Sequence, residues 1–342
     1  MLLHGEPTWS YLYRYGARYF FICSTHLLIR DRHMIPELVS QGYRVIAPDL
    51  IGFGRSEKVG ACTVVRQRNY SRRILSHLSQ LSDRKDFSYS KQVAWLKSLL
   101  LDHLQLGRSA RSQMTVFVQD WGSLLGLRIV AEAPWAFARV VVGNGFLPTG
   151  DGKPPKMFKQ WLEFSQSTPE LPIGAIVASG TARQLSQHEL EAYDAPFPNE
   201  LSKEAARALP ALVPMAPDQA GTLDNICAWA TLSRFQRPLV TCFSTGDPIT
   251  RGADKVLQQH VAGAQGQQHE TLAGGHFLQE DVPHELVRII VRTIKKTPNA
   301  PYLEPLARAG GLPGTRQAAA AVQATAATAA RAHACLGAAA KL

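Results

Sequence analysis

The clearest pattern along the chain is the run Thr115-Val116-Phe117-Val118, four β-prone residues that end in Gln119-Asp120-Trp121-Gly122. Apolar residues at Leu125 and across 127–131 then take up a helical rhythm, which Pro134 breaks. Strand, sharp turn and helix are thus predicted in succession, with a carboxylate at the turn. A second short strand is predicted at 43–49, before the turn-rich Gly52-Phe53-Gly54-Arg55-Ser56. Residues 90–106 carry Val93, Leu96, Leu99 and Leu100, with Leu104 following, at the spacing of a helix with one buried face. That helix is expected to stop near Gly107. Further strands are predicted at 139–143, 238–244 and, weakly, 268–272, and a helix follows Gly274-Gly275-His276 through 294. The first residues, Met1 to Trp9, read as the tail of a strand running into a Gly/Pro loop.

Between 146 and 235 alternation disappears, and Pro, Gly and short helical runs dominate. A helical insertion laid over a sheet has this appearance. Strands alternating with helices elsewhere indicate an α/β fold with a mostly parallel central sheet flanked by helices. The expected organisation is a core in two parts, 1–145 and 236–298, a helical cap at 146–235, and a low-complexity Ala-rich tail at 299–342.

Composition changes this picture little. An apolar fraction of 45% is enough for a sizeable core. The net charge of +10 invites a nucleic-acid reading, but its location argues otherwise. Segments 14–33, 59–85 and 307–342 carry +3, +5 and +4, so the rest of the chain sums to −2. No aromatic-interleaved basic surface accompanies them, and neither a nucleic-acid partner nor a membrane span is expected. The apolar run 19–29 is too short and too interrupted to cross a bilayer. The five cysteines, Cys23, Cys62, Cys227, Cys242 and Cys335, are scattered without a C-x-x-C pair. With no signal peptide opening the chain, they fit free thiols in a reducing, cytoplasmic setting. Metal-ligand spacings are lacking, so neither a metal nor an organic cofactor is expected.

Asp120, Asp247 and His276 stand at the ends of predicted strands, in that order. Nucleophile, acid, histidine is the chain order of the α/β-hydrolase fold, and Val118-x-Asp120-x-Gly122 has the spacing of its strand–turn–helix elbow with Asp in the nucleophile position. Each residue has a plainer role available. Asp120 can cap its helix, Asp247-Pro248 can be an ordinary turn, and His276 can sit on a surface loop. Their joint order is what favours a site.

Longer motifs make the resemblance specific. They are His4-Gly5-Glu6-Pro7-Thr8-Trp9-Ser10-Tyr11-Leu12-Tyr13-Arg14, Pro48-Asp49 with Gly52-Phe53-Gly54-Arg55-Ser56, Gln119-Asp120-Trp121-Gly122, Ala192-Tyr193-Asp194-Ala195-Pro196-Phe197-Pro198, Asp247-Pro248-Ile249-Thr250 and His276-Phe277-Leu278-Gln279-Glu280-Asp281. The chain resembles the haloalkane dehalogenases, in the subfamily whose acid follows the seventh sheet strand. The resemblance implies that Asp120 displaces halide and forms an alkyl ester, which water activated by His276 and Asp247 then hydrolyses. It implies an oxyanion hole from the backbone N–H groups of Glu6 and Trp121, and halide donors in the indoles of Trp121 and Trp161. The implied partners are a small halogenated substrate, water and the halide product, with no cofactor. Epoxide hydrolysis is the nearest alternative, since it shares the Asp–Trp elbow, but it needs lid acids, usually two Tyr, and the lid has only Tyr193. An inactive, binding-only descendant is the third reading.

Two basic stretches, 15–33 and 59–84, interrupt the family pattern, and the segment that supplies the family's first strands before His4-Gly5 is missing. Retained intervening sequence with a missed start is the expectation, with real insertions as the mirror reading. A sheet without those strands is expected to expose an unpaired edge and to fold poorly.

Overall fold

Five parallel strands in the order β1-β2-β3-β4-β5 form the sheet of the computed structural model, which describes residues 1–14, 34–58, 84–109 and 113–297. They are β1 Leu2–Leu3, β2 Met114–Val118, β3 Phe137–Val142, β4 Leu239–Ser244 and β5 Glu270–Leu272. The expectations for 15–33, for all but Arg84 of 59–84 and for 299–342 lie outside the described residues. β2 and β3 are apolar runs because helices cover both their faces, and every residue of β3 is buried. The register aligns Leu3 with Val118, Val118 with Val142, and Ser244 with Leu272. All the strands therefore end at one side of the sheet, and the loops leaving them meet there.

The segment 43–49 departs from its expectation. It is not a strand but an extended, largely half-exposed stretch beside β1, joined to it where Leu2 N donates to Ile46 O at 2.9 Å. Its neighbour β1 is only two residues long, and Pro48 has no N–H to give, so Val45-Ile46 finds too little pairing for a ladder. The helix predicted at 90–106 runs over Tyr89–Ser98 from a Ser88 cap and widens to π-helical bonding over Leu99–His103. Beyond His276 two helices replace one, Leu278–Asp281 and Pro283–Lys296. Pro283 starts the second because a proline without N–H suits a first helical position better than an interior one.

Between β3 and β4 lie helices Lys156–Ser167, Ile173–Ser179, Gln187–Asp194, Glu204–Leu212 and Thr222–Leu232, with no strand among them. The last of these packs on Trp121–Glu132, a helix buried over all of 121–131 and apolar nearly all round, as a central helix must be.

The turn from β2 into that central helix depends on close approach. A Cβ on Gly122 would stand 2.2 Å from the Leu3 carbonyl oxygen, which is backbone and cannot rotate away. We therefore expect Gly122→Ala to destabilise the fold by about 1–3 kcal/mol through overpacking, read as a drop of several degrees in Tm. An unchanged Tm would mean that β1 does not press on the elbow.

Candidate active site

Asp120 leaves β2 at φ 50 and ψ −125, a left-handed conformation that costs a non-glycine residue about 1–3 kcal/mol. The surroundings hold it there. Asp120 N donates to Asn144 O at 3.0 Å, and Ser123 Oγ donates to Asp120 O at 2.6 Å. The reward is a carboxylate at the top of the sheet, 20% exposed toward a cavity of about 1430 Å³. Gly5 must be glycine for the same reason, since a Cβ there would lie 2.5 Å from Asp120 Cβ.

The strand register brings the other two sequence-predicted groups to Asp120. His276, in the loop after β5, places Nε2 3.4 Å from Asp120 Oδ2 and Nδ1 3.0 Å from Asp247 Oδ1. Asp247, in the loop after β4, also accepts from Ile249 N at 2.9 Å, from Thr250 N at 3.2 Å and from the Thr250 hydroxyl. Burial works against its charge, but His276 and these donors outweigh burial and pull its pKa down to about 2. Burial likewise works against a charged His276, yet the two flanking carboxylates push its pKa up to about 10. In the free site the flanking carboxylates thus favour the imidazolium over the neutral imidazole.

Glu6, in the loop after β1, donates its backbone N–H to Asp120 Oδ1 at 2.7 Å. His4 fixes that loop: its Nε2 accepts from Leu50 N at 2.9 Å and its Nδ1 lies 3.0 Å from Gly5 O. Trp121 opens the central helix, where first-turn amides lack intrahelical acceptors, and its ring lines the cavity against Tyr89. Trp161, on the helix Lys156–Ser167, also lines the cavity, and its Nε1 donates to Glu6 Oε2 at 3.2 Å. The structure thus brings together all six positions: Asp120, Asp247, His276, Glu6, Trp121 and Trp161.

Residues 1–289 match the alpha/beta hydrolase family. A haloalkane dehalogenase from Psychrobacter cryohalolentis is 42% identical over 87% of this chain and 84% of its own length. One from Mycobacterium marinum is 42% identical over 85% of this chain and 82% of its own. This chain belongs to the haloalkane dehalogenase family. Its fold is that of the family too: the structure of haloalkane dehalogenase DpaA from Paraglaciecola agarilytica superposes with a TM-score of 0.64 at 26% identity, over 85% of this chain and 81% of that one.

Several further residues around this site have positions that local pattern alone does not assign. Asn144, buried just past β3, donates to both Gly275 O and His276 O at 2.9 Å and so holds the histidine loop. Its place directly after an apolar strand, in Gly143-Asn144-Gly145, is the one hint the sequence offers. Gln119 donates to His276 O at 3.3 Å. Asp281 accepts from Gly275 N at 2.7 Å and from Ala182 N at 2.9 Å, tying that loop to the helical layer above. Beside it, Glu280 is buried among Arg14 at 2.5 Å, Arg183 and the Tyr193 hydroxyl, and Arg14 also reaches Glu189 at 2.5 Å. Burial opposes the Glu280 charge, but the Arg14 guanidinium holds its pKa below the ordinary value.

These shifts set a pH window for stability. Asp247 and Glu280 have depressed pKa values when folded, so their contribution is present above about pH 4 and is lost as pH falls through the folded values. For Asp247, moving from 3.8 to about 2 is worth about 2 kcal/mol. His276 is raised, so its contribution is complete below 6.5 and disappears as pH climbs toward about 10. The share of the urea midpoint that these three groups supply is expected to be fullest between about pH 4 and about pH 6.5 and to decline on both sides. A midpoint that keeps rising through alkaline pH would contradict the assignment for His276.

Proposed function

We propose that this protein hydrolyses small haloalkanes to alcohol and halide through a covalent ester on Asp120. Its placement beside a histidine that a second, buried carboxylate orients is the observation that carries this reading. One Asp120 oxygen attacks the carbon bearing the halogen, that C–X bond breaks, and the halide leaves with the electron pair. The indole N–H groups of Trp121 and Trp161 receive it in a largely apolar cavity. Forming the ester removes the Asp120 charge, which is one of the two anions raising His276. The imidazolium then gives up its proton to solvent more readily, and the neutral imidazole can take one from water as general base, while Asp247 stabilises the imidazolium that re-forms. Water attacks the ester carbonyl, and the N–H groups of Glu6 and Trp121 hold the oxyanion. The bond from the carbonyl carbon to the alkoxy oxygen then breaks, and the alcohol departs with the proton held by His276. The Asp120 carboxyl returns its proton to His276 as it reverts to a carboxylate. We also read 1–145 and 236–298 as the core and 146–235 as its cap. Unpaired Cys227 and Cys242 support a cytoplasmic setting, and no helix among the described residues is long and apolar enough to cross a membrane.

Epoxide hydrolysis is disfavoured by the position of Tyr193. Its ring is fully buried and its hydroxyl is committed to Glu280, away from the cavity wall. The deciding assay is halide release from 1-bromobutane and 1,2-dibromoethane beside diol formation from styrene oxide. Halide without diol is expected. Diol without halide would favour the epoxide reading, and a folded protein that binds 1-bromobutane without turnover would favour a binding-only descendant.

A further inference from the structure

The reaction above uses only the backbone of Glu6, yet its side chain is built into the site. Glu6 is 4% exposed. Its Oε2 occupies the Trp161 N–H at 3.2 Å, and its Oε1 is buried with no hydrogen-bond partner among the described residues. A carboxylate oxygen left in that state is costly, whereas a carboxylic acid hydroxyl there would be a donor waiting for an acceptor. Burial and the adjacent Asp120 charge both keep this group protonated well above the usual carboxylate range, against smaller opposing effects of Trp161 and His276. The other charged groups facing it are His276 from the loop after β5, with Asp247 behind it, and Asp151, Lys153 and Arg251 elsewhere on the cavity wall.

We propose that Glu6 is a pH-dependent member of the halide site: protonated, it yields the Trp161 N–H and donates its own O–H to the halide, and ionised, it reclaims that N–H and expels the anion. This rests on the reading of Trp161 as a halide donor. A neutral acid is a weak competitor for an indole N–H, and its hydroxyl adds a further donor beside Trp121 and Trp161. A carboxylate reverses both terms, because it accepts strongly and repels a like charge at contact distance. The same side chain therefore favours capture of halide while the carbon–halogen bond breaks and favours its release once the proton is lost.

Bromide titrations followed by tryptophan fluorescence, from acid to alkaline pH, test this on the full chain, on Glu6→Gln and on Trp161→Phe. In the unmodified protein, bromide affinity is expected to fall ~10-fold per pH unit once Glu6 ionises. Glu6→Gln should flatten that slope and bind bromide more tightly than the unmodified protein at alkaline pH. Trp161→Phe should weaken bromide ~10-fold or more at low pH, as expected for losing a hydrogen bond to a charged group. A Glu6→Gln slope equal to that of the unmodified protein, with Trp161→Phe weakened, would overturn the inference and leave the Trp161 reading standing. Unchanged affinity in Trp161→Phe would remove that reading and the inference with it. A second measurement needs no variant: the bromide dissociation rate should rise with pH, and a pH-independent rate would also overturn the proposal.

Discussion

Replacing His276 with Gln is expected to stop turnover after a single halide has left each enzyme molecule. In the proposed reaction the first step needs only the Asp120 carboxylate, which stays on its turn because backbone and Ser123 contacts hold it there and not His276. The second step needs a base at Nε2, 3.4 Å from Asp120, and Gln has none to offer. Losing general-base catalysis slows ester hydrolysis by ~10²–10⁴-fold, so the alkyl-enzyme accumulates. Rapid-mixing measurements with 1,2-dibromoethane should show a burst of bromide close to the enzyme concentration and then almost nothing. Intact-protein mass spectrometry should find the bromoethyl group, and digestion should place it on the peptide containing Asp120. Steady release at the unmodified rate, or an adduct elsewhere, would refute the division of labour between the two residues.

Asp120→Asn is expected to abolish halide release, because a neutral amide cannot displace halide, and a loss of at least ~10⁴-fold corresponds to about 5 kcal/mol of transition-state stabilisation. The variant also removes the same charge that alkylation removes. It therefore reports on the electrostatics of the intermediate without any substrate. His276 should titrate well below its value of about 10 in the free site, since burial still lowers it and only Asp247 still raises it strongly. Imidazole ¹⁵N shifts across the titration measure this directly. An unshifted His276 would mean that Asp247 alone sets its charge and that ester formation does not prime the base.

Much of this architecture was legible because it is local. β2 and β3 are buried over nearly their whole length, so the hydrophobic stretches 116–118 and 140–142 mark them without any knowledge of partners. Asp120 and Asp247 could be placed together because each follows such a strand, His276 follows a weaker one, and a parallel sheet gathers its carboxyl ends. Local pattern failed where pairing decided the outcome. Val45-Ile46 has the composition of a strand, but the two residues of β1 and the absent donor of Pro48 leave it extended and unladdered. The roles of Trp161 and of the Glu6 backbone came from resemblance to a family and not from spacing. The Glu6 carboxyl gave no signal, since a glutamate in a Gly/Pro loop is ordinarily solvated. A distant part of the chain brings it its partner, Trp161 on the helix Lys156–Ser167.

The buried contact of Arg14 with Glu280 spans 266 positions of the chain. It has a consequence for the order in which the protein matures. A chain made from its N-terminus exposes Arg14, β1 and the Glu6 loop long before Glu280 and His276 leave the ribosome. Loop closure over such a span is slow, and the early apolar strands, even where they pair with one another, lack the cover of the last helix meanwhile. Synthesis halted before residue 280 should therefore yield a nascent chain that binds chaperones and is cut readily by protease within its first strands. Protection should arrive abruptly, in one late step, when the helices after β5 emerge and the two ends of the described fold meet.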